Sequence, residues 1–157
     1  MSSDQTHEPI PQYRSAVSDA LGRVIPDEGD LRVWLDDDLV DRTAPERWVH
    51  LVTAREVCFL LLTGRVVELS LDHDLMDDVR FGRGSHVIDF LDDQAGRCGR
   101  SLWPRDGIAL HTANSSGRDA MERAIRSRAQ LHVNVERTHT SGGKPLFLFT
   151  ARAGNQA

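Results

Sequence analysis

Three short, mostly apolar segments each run straight into a cluster of polar residues able to do chemistry, and this pattern narrows the folds open to the chain. LRVWL (31–35) ends in Asp36-Asp37-Asp38, VVELSL (66–71) in Asp72-His73-Asp74, and GIALHTA (107–113) closes on His111 and Thr112 with Asn114 just beyond. Runs this short, without strict polar alternation, read as strands covered on both faces. WVHLV (48–52) and LHVNV (131–135) read as two more strands. Helical segments alternate with them. Thr53-Ala54-Arg55-Glu56 has the spacing of a capping box and opens a helix through Leu62 that stops at Gly64. Ser85 is the expected cap of a helix to about Ala95, with Val87, Ile88, Phe90 and Leu91 toward the core. Asn114, Ser115 or Ser116 caps the next, which carries Met121, Ala124 and Ile125. Strand–helix alternation predicts a three-layer α/β domain: a mostly parallel five-stranded sheet with helices on both faces. PLFLFTAR (145–152) is expected to add an extra C-terminal edge strand.

The remaining segments set the domain bounds. Residues 1–29 form an N-terminal extension, with Tyr13, Val17, Leu21 and Val24 spaced for a short amphipathic helix. The domain proper spans 30–137, and 138–157 is a tail that contains Ser-Gly-Gly-Lys-Pro (141–145). No apolar run approaches the ~20 residues of a membrane helix, and the first residues lack the basic and apolar parts of a signal peptide. A cytoplasmic protein with no membrane partner is expected. Net charge is −5, from 24 acidic against 19 basic side chains, which argues against a broad DNA-binding surface. Cys58 and Cys98 lack metal-ligand or CxxC spacing and read as reduced, inert thiols.

In a parallel sheet, ligands bind beyond the carboxyl ends of the strands, at a topological switch point. The three polar clusters all fall there. Carboxylates on neighbouring strand tips repel one another unless a cation lies between them. Asp36, Asp37, Asp72 and Asp74 are therefore the candidate ligands of a divalent metal, Mg²⁺ first and Mn²⁺ as the alternative, since hard oxygen donors suit both. His73 and His111 are candidate acid–base groups, because imidazole is the side chain suited to proton transfer near neutral pH; Asp72 is also a candidate nucleophile. Thr112, Asn114, Ser115 and Arg118 lead from strand into helix, where free N–H groups and a guanidinium suit a phosphate. His50, His86 and His132 read as structural. With no Cys/His cluster, zinc is not expected.

These residues resemble the receiver domains of response regulators, which carry an acidic pair after strand one (Asp36-Asp37), an acceptor Asp after strand three (Asp72) and Thr-Ala after strand four (Thr112-Ala113). Receivers also carry a Lys at strand five, and the sole lysine here, Lys144, lies beyond it. Segment 38–52 shows no first helix, so a phosphorelay switch is not the reading adopted. LDD (35–37), TARE (53–56), SLDHDL (70–75) and HTANSSGR (111–118) are more closely similar to the family of cyclic-phosphate processing receiver-like domains, over residues 31–130. That resemblance implies a receiver- or flavodoxin-like fold. It also implies a metal on Asp36, Asp37 and Asp72, acid–base roles for His73 and His111, and phosphate orientation by Asn114 and Arg118.

The leading function is a metal-dependent phosphoesterase acting on a cyclic phosphate, on a nucleotide or an RNA end. The alternative is a non-catalytic receiver-like module that senses a phosphate ligand or binds a protein. A Toprim-like nuclease would use the Asp72-x-Asp74 pair, but it needs a Glu where Asp36 stands. Two-histidine phosphoesterases need two H-x-T/S motifs, and His111 is followed directly by Thr112.

Overall fold

The structure is a computed structural model that describes residues 25–129, 131–134 and 147–151. The strands are β1 (Leu31–Leu35), β2 (Val49–Leu51), β3 (Val66–Leu71), β4 (Gly107–Leu110), β5 (Leu131–Asn134) and β6 (Phe147–Ala151). The helices are α1 (Ala54–Leu61), the single turn α2 (Asp78–Phe81), α3 (Gly84–Cys98) and α4 (Ser115–Arg128). Strand order is β2-β1-β3-β4-β6-β5. Strands β2, β1, β3 and β4 form a four-stranded parallel sheet, giving the expected receiver-like α/β fold.

Two expectations about the sheet and its covering differ from what is found. The C-terminal strand does not take an edge: β6 lies between β4 and β5 and runs antiparallel to both. A segment as apolar as Phe147-Leu148-Phe149 leaves its backbone unpaired on one side at an edge, and the inner position pairs both sides. The expected helices on both faces are found on one face among the described residues. Helices α1, α3 and α4 all belong to crossovers that move the same way across the sheet, which right-handed connection places on one side. The loop from β1 to β2 moves the other way and contains no helix. The amphipathic segment 12–24 lies outside the described residues.

The core lies between the sheet and this helical layer. Val33, Leu35, Leu69 and Ile108 from the strands meet Val57, Leu60, Ile88, Leu91, Met121 and Ile125 from the helices. The other sheet face carries Trp34, Ser70 and Ala109 side by side on β1, β3 and β4, flanked by an Arg32–Glu68 ion pair at 3.2 Å. Thr53 caps α1 as its sequence predicts: its hydroxyl accepts from the Glu56 N–H at 3.1 Å, and the Glu56 carboxylate accepts from the Thr53 N–H at 3.0 Å. Ser85, expected to cap α3, instead lies inside it. Arg83 is the cap residue, and its N–H is received by His86 Nδ1 at 3.1 Å. Among the described residues no helix is long and apolar enough to cross a membrane.

Losing the Thr53 cap leaves an orphan N–H at the start of α1, so Thr53→Ala should lower stability by about 1 kcal/mol. Urea denaturation checks this; a change within error would mean that the box adds nothing to packing of α1.

Candidate functional site

Strands β1, β3 and β4 are neighbours, so the residues just past their carboxyl ends are brought together by the sheet itself. One further ladder rung fixes each tip: Asp36 N–H donates to Leu51 O at 3.1 Å, Asp72 N–H to Leu35 O at 2.9 Å, and His111 N–H to Leu71 O at 3.1 Å. The chain turns from β1 outward to β2 and back across to β3, so β1 and β3 flank the switch point. Asp36 is fully buried, Asp72 is 2% exposed and Thr112 is 5% exposed. One ligand atom each from Asp36, Asp72 and His111 lies within 4.8 Å of the others.

Two carboxylates buried this closely need compensating charge and hydrogen bonds. Asp36 Oδ1 accepts the Asp38 N–H at 2.8 Å. Its Oδ2 meets His111 Nε2 at 3.2 Å and Arg42 Nε at 3.3 Å. Arg42 Nη1 reaches Asp72 Oδ2 at 3.1 Å, so one guanidinium spans both carboxylates. The Thr112 hydroxyl donates to the Asp72 carboxylate and accepts the Asn114 N–H at 3.2 Å. Burial pushes the Asp72 pKa up and the Asp36 charge adds to this; the Thr112 hydrogen bond and the His111 and Arg42 charges oppose without cancelling it. Burial alone would lower the Arg42 pKa, but the charges of Asp72, Asp36, Asp38 and Asp37 more than offset that, and the net shift is upward.

Besides its Nε2 contact with Asp36, His111 is held on two further sides. Its ring stacks on Trp34 with centroids 4.0 Å apart and planes 11° from parallel. Its Nδ1 lies 2.8 Å from Ser70 Oγ. Ser70 sits on the strand between Trp34 and Ala109, and its small side chain leaves room for the two rings to meet above it. His50 fixes the loop from the other side: its Nδ1 accepts the Ala44 N–H at 3.4 Å, which leaves Nε2–H to donate to Asp36 O at 2.7 Å.

A second network lies at the tips of β3 and β4. His73 Nδ1 pairs with Asp74 Oδ1 at 2.6 Å, Asn114 Nδ2 donates to Asp74 Oδ2 at 2.7 Å, and Asn114 Oδ1 caps α4 by accepting the Gly117 N–H at 2.8 Å. The His73 hydrogen bond is the main cause holding the Asp74 carboxyl below its usual pKa. Gly117 is required here, because a Cβ would come within 2.4 Å of the His73 ring. Gly84 is required in the same way, because a Cβ would meet the Asp72 carbonyl oxygen at 2.1 Å.

Of the residues singled out from sequence, Asp36, Asp72 and His111 converge, with Thr112 against Asp72. Asp37 is half-buried beside them and acts on Arg42 through its charge, outside the close set of ligand atoms. Asp74 and His73 belong to the second network. Asn114 has both ends of its amide engaged within the chain, Ser115 is exposed at the first turn of α4, and Arg118 Nη2 lies 3.4 Å from Asp119. Sequence reasoning missed Arg42, Ser70 and Trp34. Ser70 carried a signal, being the one small polar residue of β3 and two positions before Asp72, hence on the same side of the strand. Arg42 carried none beyond being a cation among five nearby acids in a loop.

The family model described as cyclic-phosphate processing receiver domain matches residues 31–127, more than half of the chain. Among curated proteins and among solved structures nothing matches.

The raised pKa of Asp72 has a sign that can be tested. A carboxyl whose pKa is higher in the folded state stabilises the fold below its unfolded pKa, and that contribution is lost as pH rises through the folded pKa. In chelating buffer, Asp72→Asn should therefore be more stable than wild type at neutral pH. The gap should close on acidification, when wild-type Asp72 takes up its proton. Denaturant melts at both pH values check this; a mutant no more stable than wild type at neutral pH would contradict it.

Proposed function

The chain belongs to the cyclic-phosphate processing receiver domain family, and from that premise we propose that it is a metal-dependent phosphoesterase that opens a cyclic phosphate on a nucleotide or an RNA end. The observation carrying this reading is the convergence of two buried carboxylates and one imidazole nitrogen on the tips of three adjacent strands. The donor set fits a divalent cation. Asp36 Oδ2 and an oxygen of Asp72 are hard donors, and His111 Nε2 becomes a ligand when Nδ1 carries the proton and donates it to Ser70 Oγ. An imidazole among carboxylates moves the preference toward Mn²⁺, with Mg²⁺ still served by the oxygens. When bound, such an ion polarises a phosphoryl oxygen and acidifies a water.

The chain's own residues supply the rest. Ring opening adds water to phosphorus and breaks one P–O bond to the ribose, whose oxygen must gain a proton. We assign that role to His73: Asp74 holds Nδ1 and Gly117 packs on the ring, which supports Nε2 as the nitrogen that exchanges the proton. Asn114 acts as a strut that fixes Asp74 to the start of α4. The first N–H groups of α4 face the rim and suit a phosphate oxygen, with Ser115 and Arg118 beside them. Asp37 stays close enough to add negative charge around the ion.

Hydrolysis of a panel of 2′,3′- and 3′,5′-cyclic nucleotides with Mn²⁺ or Mg²⁺ tests the proposal. Wild type should turn over at least one of them and Asp72→Ala none. His73→Ala should lose ~10²–10⁴ in rate, the usual worth of a positioned acid, while still binding the ion. Wild-type rates in His73→Ala would remove its acid role. Ligand-dependent thermal stabilisation without turnover would move the reading to a phosphate-sensing module.

A further inference from the structure

The guanidinium of Arg42 occupies the oxygens that a divalent ion would use. Asp36 Oδ1 is taken by the Asp38 N–H, so Oδ2 is the oxygen left for a cation, and Arg42 Nε is on it at 3.3 Å. Asp72 Oδ2 receives Arg42 Nη1 at 3.1 Å, and Asp38 adds a third carboxylate at 3.7 Å from Nε. A guanidinium and a divalent ion a few Å apart repel strongly in a poorly solvated site, so the two cannot share these oxygens. The loop carrying Arg42 is tied at both ends. His50 bonds Asp36 O and the Ala44 N–H, and Asp38 Oδ1 accepts the Val40 and Asp41 N–H groups at 3.0 and 2.8 Å. The Arg42 side chain itself is 34% exposed, while Asp36 and Asp72 beneath it are 0% and 3% exposed. It thus covers the carboxylates from the solvent side and can leave them by side-chain rotation, without unfolding the loop.

We propose that Arg42 is a two-position cation, seated on Asp36 and Asp72 when no divalent ion is present and moved onto the substrate phosphate when an ion takes the carboxylates. This rests on the phosphoesterase reading for the ion and adds the residue that couples ion and phosphate. Arginine suits both seats, because its separate N–H donors reach two carboxylates at once, Nε to Asp36 and Nη1 to Asp72, can grip one phosphate in a bidentate fork, and keep the charge in each. The metal-free site is then partly neutralised from within, one guanidinium charge lying against both carboxylates, which helps two carboxylates survive burial side by side. Ion binding releases a cation onto the open side of the rim, where an anionic substrate arrives. A purely structural arginine would act in one direction only, whereas a two-position cation gives effects of opposite sign on ion and phosphate.

The full chain, as wild type, Arg42→Gln and Asp72→Asn, is titrated with Mn²⁺ by calorimetry, then with inorganic phosphate at saturating Mn²⁺. Arg42→Gln should bind Mn²⁺ about tenfold more tightly, having lost its internal competitor, and phosphate about tenfold more weakly, having lost a bidentate donor. Its melting temperature should fall below wild type in chelator and recover with Mn²⁺, which separates displacement from misfolding. Arg42→Lys should lie between, because an ammonium cannot span both carboxylates in fork geometry. Equal or weaker Mn²⁺ binding by Arg42→Gln, with binding still lost in Asp72→Asn, overturns the inference and leaves the metal site standing. Unchanged phosphate affinity in Arg42→Gln overturns it as well. Absence of any Asp72-dependent Mn²⁺ binding in wild type and Arg42→Gln overturns both the inference and the metal reading.

Discussion

Two carboxylates buried side by side at the tips of adjacent parallel strands are the constraint around which this molecule is arranged. Asp36 and Asp72 cannot leave the site, because their backbones are one rung beyond the ladder. They cannot reach bulk water either, because both are almost wholly buried. An isolated charge in such a place is costly, and two of like sign are more so. Every polar feature nearby answers this: the Asp38 N–H, the Thr112 hydroxyl, His111 Nε2 and above all the Arg42 guanidinium. The unusual course of the chain between β1 and β2, a loop where a helix would ordinarily run, brings Arg42 back over the tips.

The second network solves a different problem. A histidine that exchanges protons must keep one ring nitrogen fixed and the other available. Asp74 fixes His73 Nδ1, Asn114 fixes Asp74, and the α4 N-terminus fixes Asn114 through Gly117. Each link joins the tip of β3 to the strand-to-helix turn after β4, so the register of the sheet sets the position of the ring. The close approach of Gly117 makes α4 part of the same assembly. The acidic cluster with its arginine and the histidine network are thus separate groups on one rim, an arrangement that supports the proposed division between ion binding and proton transfer.

Much of this was legible in the sequence because it depends on short-range pattern. Apolar runs ending in acids gave β1, β3 and their tips; the Thr53–Glu56 spacing gave the start of α1 and Asn114 the start of α4. What stayed hidden depends on contacts distant along the chain. Arg42 meets Asp72 thirty positions away in a segment without periodicity. Ser70 bonds His111 and Trp34 stacks on it only because β1, β3 and β4 are neighbours. The strand-tip place of His111 makes it a candidate acid–base group, while its 3.2 Å approach to Asp36 depends on the pairing of distant strands and has no local signal. The interior place of β6 has no sequence signal for a similar reason: an apolar tail strand reads the same whether it lies at an edge or between two partners.

Membership of a cyclic-phosphate processing family and a donor set of two carboxylates and an imidazole meet on the same three strands. The proposed chemistry follows from that coincidence, and it stands or falls with the position of the ion. Anomalous diffraction at the manganese edge, from crystals of the full chain grown with Mn²⁺, measures that position directly. The expected result is one ion bonded to Asp36, Asp72 and His111 Nε2, with the Arg42 guanidinium moved off both carboxylates. A map with no anomalous peak at the strand tips and Arg42 still bridging Asp36 and Asp72 would contradict the account.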